Sequence, residues 1–374
     1  MIYADNAATT QLNRNAFEAM TPWLLDEYGN VSQPYAFARK PKKALAEARA
    51  TIAKCINAQP DEIFFTSGGT ESDNWAVKGT AFADPEKRAT ITSAFEHHAV
   101  LHSCEAIERL GYPVAYLMPT ADGLITAKTL NGVISNATHL VSVMCANNEI
   151  GTIQPIKELC DMTHSRGALF HTDAVQAVGH VEIDVSDLGV DMLSASAHKF
   201  NGPKGIGFLY IRKGTKILPY ADGGAQESQY RAGTENIASI VGMATALKEN
   251  FTGLKSNVAY IKSLEIRLLE KLRETNIPFV RNGGDNTLPG LISLSFSGAD
   301  GETILHRMDL MGISISTGSA CNSVNTEISH VLKTIQLEET LAKGTIRVSL
   351  GRNNTEEDVD YIVAALAKVL KKSF

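Results

Sequence analysis

The chain has 374 residues, 44% of them hydrophobic and 20% charged, and a formal net charge of -6. That is enough for two or three domains around a large core, and the mild acidity excludes a whole-molecule electrostatic drive toward nucleic acid or anionic lipid. Five cysteines with no Cys-x-x-Cys pair exclude a regular disulfide framework; with no basic-then-apolar start and no apolar run near the ~20 residues of a membrane helix, a cytoplasmic protein is expected.

From about Asp61 to Ile211 short apolar runs alternate with helix-like stretches. Ile63-Phe64-Phe65 reads as a strand that runs into a Gly-rich turn and a helix. Thr90-Ile91-Thr92 is a second strand, and Leu140 to Met144 a third, with Cys145 carried on it. Ala168 to His171 and Met192 to Ala195 follow, each ending in polar residues, and Gly207 to Ile211 closes the series. This alternation predicts an α/β domain with a mostly parallel sheet. Beyond about Thr252 the texture changes. A charged amphipathic helix is expected over Val258 to Thr275, a half-buried strand over Leu291 to Phe296, a helix over 302–311, a strand over Ile346 to Leu350, and a last helix capped at Thr355. That order suggests a smaller α+β domain.

Polar residues gather where the strands end, which is where ligands bind in open α/β sheets. Thr66-Ser67-Gly68-Gly69-Thr70-Glu71-Ser72 joins a strand to a helix, and its glycines allow a phosphate to approach the first helical amides. Thr70 or Ser72 can add a hydroxyl. The segment is not a P-loop, because no Gly-Lys-Ser/Thr follows. Read alone, the segment is weak evidence, and a plain glycine turn with a capping box explains it better. His98 and His102, four apart on a helix, share a face, but without His-Glu-x-x-His they are weak evidence for a metal, and none is expected. An imidazole of the run Glu96-His97-His98 stacked on a flat cofactor is the better functional reading, beside two satisfied structural histidines. Asp173 can pair with a protonated pyridine nitrogen or simply cap a helix. Lys199, in Ser194-Ala195-Ser196-Ala197-His198-Lys199, has an amine that can condense with an aldehyde cofactor; Lys204 competes for that role.

Cys321 differs from the other cysteines. Its neighbours Ser319, Ala320, Asn322 and Ser323 are small and polar, whereas free cysteines usually sit as small buried hydrophobes. Such a segment can present a nucleophilic thiol. Arg347, in a strand, offers a fork that reads a carboxylate, or an ordinary salt bridge.

Taken together and in this order, these segments resemble the cysteine desulfurases, class V aminotransferases with fold type I of the pyridoxal-phosphate enzymes. The resemblance runs from Tyr3-Ala4-Asp5-Asn6-Ala7-Ala8-Thr9-Thr10 to Arg352. It implies a large domain over 13–250, with a mostly parallel seven-stranded sheet flanked by helices. It also implies a smaller α+β domain from 1–12 and 251–374 that carries the cysteine segment. The implied cofactor is pyridoxal 5'-phosphate, carried on Lys199, with His97 stacked on its ring and serving as an acid/base. By the same resemblance Asp173 meets the ring nitrogen and Gln176 the phenolic oxygen. Gly69, Thr70, Ser196 and His198 form the phosphate cup. Thr234 reaches the phosphate of a neighbouring subunit, so a homodimer is implied. Asn148 and Arg347 hold the substrate carboxylate, and Cys321 becomes the persulfide. The implied activity converts L-cysteine to L-alanine and passes sulfur to an acceptor protein for iron–sulfur clusters or tRNA thiolation, with no direct nucleic-acid contact. A selenocysteine lyase, an aminotransferase of the same family, or a silent cofactor-binding scaffold are the rivals. Cys321 speaks against the aminotransferase, and Lys199, His97 and Cys321 together against the scaffold. Two stretches depart from the family pattern: Asn30-Val31-Ser32-Gln33-Pro34-Tyr35 and Gly223-Gly224-Ala225-Gln226-Glu227-Ser228.

Overall fold

The computed structural model describes residues 1–84, 89–317 and 328–371. Its strands in chain order are β1 (Ile2–Tyr3), β2 (Ile63–Thr66), β3 (Ala89–Ser93), β4 (Val114–Leu117), β5 (Thr138–Ser142), β6 (Leu169–Asp173), β7 (Met192–Ser196), β8 (Gly207–Ile211), β9 (Val280–Asn282), β10 (Leu291–Ser295), β11 (Ile313–Ser314) and β12 (Thr345–Ser349). Among the described residues, seven of them form one sheet in the order β2-β8-β7-β6-β5-β3-β4. Every pairing from β7 to β4 is parallel, and only β8 runs against its neighbours β2 and β7. Two reversals cancel, so β2 points the same way as β6 and β7. The carboxyl ends of these strands therefore open on one edge, and that edge is where the site lies.

Apart from the edge strand β4, the strands of this sheet read as nearly unbroken buried runs because helices cover both faces. Phe65, Val141, Phe170, Leu193 and Phe208 belong to one core cluster. Val331, Leu332, Ile335 and Ala342, late in the chain, pack into that same cluster. A second core joins Ala4 to Leu268, Ile292, Phe296, Ile346 and Ile362, beneath a sheet of order β12-β10-β9. Over it the helix Leu254–Glu274 packs on the helix Glu356–Leu370. The latter starts with the expected capping box, Thr355 accepting from the Asp358 amide while the Asp358 side chain takes the Thr355 amide.

Several boundaries differ from the sequence expectation. The strand expected over Leu140 to Met144 ends at Ser142, although hydrogen bonds to β6 continue past it, from the Val143 amide to the His171 carbonyl and from the Cys145 amide to the Asp173 carbonyl. Cys145 thus sits in a bend, not in a strand. The helix expected from Val258 begins at Leu254, continuing from Gly253. β4 gave no sequence signal, since it is an edge strand that leaves Tyr116 exposed. Among the described residues no helix is long and apolar enough to cross a membrane.

Candidate active site

A cavity of about 690 Å³ opens at the carboxyl ends of β2, β6 and β7. Its floor comes from the sheet. β6 delivers Asp173 as its last residue, and the turn after it delivers Val175 and Gln176. β7 ends in Ser196, and a single 3-10 turn, Ala197–Lys199, carries His198 and Lys199 to the rim. β2 leads through Ser67 and Gly68 into the helix Gly69–Ala83, whose first turn lines the cavity. Gly68 takes φ 150°, and a side chain on Gly69 would meet Val175 Cγ2 at 2.5 Å. Glycine is required here for the helix start to lie against the β6 turn, which leaves a cradle at a helix N-terminus. Thr70 lines this cradle, whereas Ser72 turns inward and bonds Thr66 Oγ1 at 2.8 Å.

The Lys199 ammonium donates to the Ala7 carbonyl at 2.5 Å and the Ala8 carbonyl at 2.9 Å. Lys204, its rival, also borders the cavity but is exposed. Asp173 is buried, and its Oδ1 accepts the Val175 amide at 2.9 Å. Burial pushes its carboxyl up to about 6, against the pull of the Val175 amide and the Lys199 charge. His97 caps the helix His98–Glu108, its Nδ1 accepting the Ala99 amide at 3.1 Å, so the neutral ring carries its proton on Nε2. Burial, then the Lys199 charge, pushes His97 down to about 4; the same causes in the same order act on His198. Both rings are therefore neutral at ordinary pH. Ser196 and His198 sit beside the cradle, and His198 Nδ1 shares a hydrogen bond with Thr9 Oγ1 at 3.1 Å.

The far wall comes from distant segments. Arg347 projects from β12 and is buried; its Nη2 donates to Asp5 Oδ1 at 2.8 Å and its Nη1 to the Asn148 carbonyl at 2.7 Å. Its Nε is buried with no hydrogen-bond partner among the described residues. Gln176 Nε2 donates to the Ala7 carbonyl at 2.9 Å. Thus Lys199, His97, Asp173, Gln176, Gly69, Thr70, Ser196, His198, Asn148 and Arg347 converge on one cavity. Thr234 does not. It is exposed on a neighbouring cavity of about 200 Å³, which shares Ser67 and Gly205 with the first. Cys321 lies outside the described residues. The other four cysteines are buried and unpaired.

The cavity is also lined by Ala7, Ala8, Thr9 and Asp73, one turn into the helix after Gly69, none of which the sequence alone marks as part of a site. A carboxylate four places beyond a phosphate turn, on the same helix face, was the available signal. No group of three or more histidine, cysteine, aspartate or glutamate side chains among the described residues is arranged to hold a metal. His98 and His102 do share a face, with ring centroids 5.1 Å apart, but they stack on each other.

An amine, a buried carboxylate facing it, a neutral imidazole and a glycine cradle at a helix start fit a flat ring that bears an aldehyde, a basic nitrogen and a phosphate. A family model described as aminotransferase class-V matches residues 2–362. The chain belongs to the class-V aminotransferase family. Within it the chain is a pyridoxal-phosphate-dependent enzyme of the cysteine desulfurase group. It is 45% identical to the cysteine desulfurase IscS of Clostridium botulinum, over 99% of this chain and 94% of the relative. Against the IscS of Dictyoglomus turgidum it is 46% identical, over 99% and 95%. Among solved structures, a NifS-like protein superposes with a TM-score of 0.94 at 35% identity, covering 99% of both chains. SspA in complex with cysteine gives a TM-score of 0.85 at 38% identity, covering 95% of this chain and all of that one.

Proposed function

We propose that the cavity takes L-cysteine, releases L-alanine, and leaves the sulfur on Cys321 for transfer to an acceptor protein. The reading rests on the convergence of Lys199, Asp173 and Arg347 on one cavity. Bound there, pyridoxal 5'-phosphate supplies an electron sink that makes the substrate α-proton removable. Gly69, Thr70, Ser196 and His198 would hold its phosphate, Asp173 its ring nitrogen, Gln176 its phenolic oxygen and His97 its ring. Arg347, oriented by Asp5 and by the Asn148 carbonyl, offers its guanidinium to the substrate carboxylate, and Asn148 borders the same place. Lys199 Nζ takes the α-proton, and His97, neutral and protonated on Nε2, relays a proton at the same face. The Cys321 thiolate attacks the substrate sulfur. The carbon–sulfur bond breaks with its electron pair left on carbon, a proton then completes alanine, and the sulfur stays as a persulfide.

We infer further that the enzyme is a homodimer in which Thr234 serves the site of the second copy, which its exposure next to the first cavity supports. The acceptor is a protein of iron–sulfur cluster assembly or of tRNA thiolation. Residues 13–250 form the large domain, and 1–12 with 251–374 the small one, a division supported by the core that joins Ala4 to the C-terminal helix. Four buried, unpaired cysteines suit a cytoplasmic setting. The decisive variant is Cys321→Ala. It is expected to keep the cofactor chromophore and lose sulfide release from cysteine under a thiol reductant. Full release would reject the nucleophile.

A further inference from the structure

Asp73 is a second carboxylate on the cavity wall, 1% exposed, and the mechanism above leaves it unused. It lies one turn into the helix Gly69–Ala83, below the cradle. Its Oδ1 has no hydrogen-bond partner among the described residues, and His171 Nε2 stands 3.7 Å from that oxygen. Ser194 joins the pair: it bonds the Asp73 carboxyl, shares a hydrogen bond with His171 Nε2 at 2.9 Å, and lies beside Asp173 in the β6–β7 register. On its other side His171 Nδ1 meets Ser142 Oγ at 2.8 Å. The titratable groups that face Asp73 are Asp173 and His171 on β6 and Glu96 after β3.

Two ionised carboxylates cannot share a buried site at acceptable cost, so one of the pair holds a proton. The surroundings decide which. Asp173 has a backbone amide on Oδ1 and the Lys199 ammonium nearby. Asp73 has neither, and its one imidazole neighbour is neutral, because burial drives His171 down to about 3. We propose that Asp73 is a positioning residue that sits behind Asp173 as a neutral acid, so that the pair's single negative charge stays on Asp173, where the ring nitrogen binds. The inference rests on the assignment of Asp173 made above. It also sets the direction of the hydrogen-bond chain. The Asp73 hydroxyl donates to Ser194 Oγ, Ser194 donates to His171 Nε2, and His171 Nδ1–H donates to Ser142. Burial first, then the Asp173 charge, holds the Asp73 carboxyl well above the usual carboxylate range, against the pull of the Ser194 hydrogen bond.

The test compares Asp73→Asn with Asp173→Asn. Asparagine copies a neutral acid that donates a hydrogen bond, but it cannot replace a charge. Apo protein reloaded with pyridoxal 5'-phosphate should bind it within about threefold of wild type in D73N and at least tenfold more weakly in D173N, a loss of about 1.4 kcal/mol. Infrared spectra of the holoenzyme should show a protonated-carboxyl stretch that disappears in D73N and persists in D173N. Nitrogen NMR of His171 in the unaltered protein should find the ring proton on Nδ1, a readout that needs no variant to fold. Tenfold weaker cofactor binding in D73N, a carboxyl band lost in D173N instead, or a His171 proton on Nε2 would each overturn the proposal alone. Wild-type cofactor binding by D173N would overturn the assignment of Asp173, and the proposal with it.

Discussion

The floor and the far wall of the cavity are held by different means. Asp173, Ser196 and Lys199 stand at the ends of strands whose other residues are the core itself, with Phe170 three places before Asp173 and Leu193 three before Ser196, both fully buried. The wall is Arg347 and the Asp5–Thr9 segment, and it reaches the floor through single polar ties: Arg347 to Asp5, Arg347 to the Asn148 carbonyl, and Gln176 and Lys199 to Ala7. Packing fixes the floor, so no one contact there is decisive for geometry. Hydrogen bonds between groups 169 to 342 positions apart in sequence fix the wall, and each can be cut by one substitution. The chemistry that needs the tightest geometry is on the part that cannot move piecemeal.

The largest test of this contrast removes the floor's function without touching its packing. Lys199→Ala should abolish the covalent yellow chromophore while the fold stays intact by circular dichroism; a variant that stays yellow would reject Lys199 as the cofactor lysine. Next, Phe170→Ala attacks the packing itself. It should cost about 3–5 kcal/mol of unfolding free energy in denaturant titrations and weaken cofactor retention with it. If retention fell with stability unchanged, the floor would not be held as described. Arg347→Ala cuts two ties of the wall at once. It should lower kcat/KM at least tenfold, about 1.4 kcal/mol, mostly through KM, with the chromophore unaltered; wild-type kinetics would remove Arg347 from the substrate site. The smallest effect concerns Glu149, buried behind the wall and bonded by Ser329 Oγ at 2.5 Å. Burial raises its carboxyl to about 7, against the pull of Ser329 and Arg347. The folded state therefore keeps a proton that the unfolded chain has released. Its contribution to stability is full below about pH 4.5, the ordinary glutamate range, and is lost as pH rises toward about 7. Glu149→Gln should flatten the fall of stability over that window by about one proton, and an unchanged slope would show that Glu149 does not titrate there.

The same contrast separates what was legible in the sequence from what was not. The floor could be read. Ile63-Phe64-Phe65 before two glycines, the apolar runs before Asp173 and before Ser196, and Lys199 soon after are local patterns, and local patterns survive folding. The wall could not be read from residues alone. Nothing local in Asp5 or Ala7 says that a carboxylate and a carbonyl from the first turns of the chain will meet Arg347 and Lys199, and only the likeness to a family drew attention to that stretch. Asp73 is illegible for a related reason: beside a glycine turn a buried acid looks like one more helix-start carboxylate, and an Oδ1 with no hydrogen-bond partner among the described residues is a three-dimensional fact. The strand end at Ser142 was not legible either, because the buried apolar run continues to Met144 past the last paired strand residue.

The tie between Asp5 and Arg347 also bears on how the protein is made. A ribosome delivers the chain from its amino end, so the glycine cradle, Asp173 and Lys199 emerge well before Arg347 does. During that interval Asp5 waits without the guanidinium that later holds it. On the proposed assignments, the part of the pocket that would accommodate the cofactor is synthesised early, and the grip on the amino-acid substrate is the last piece to arrive.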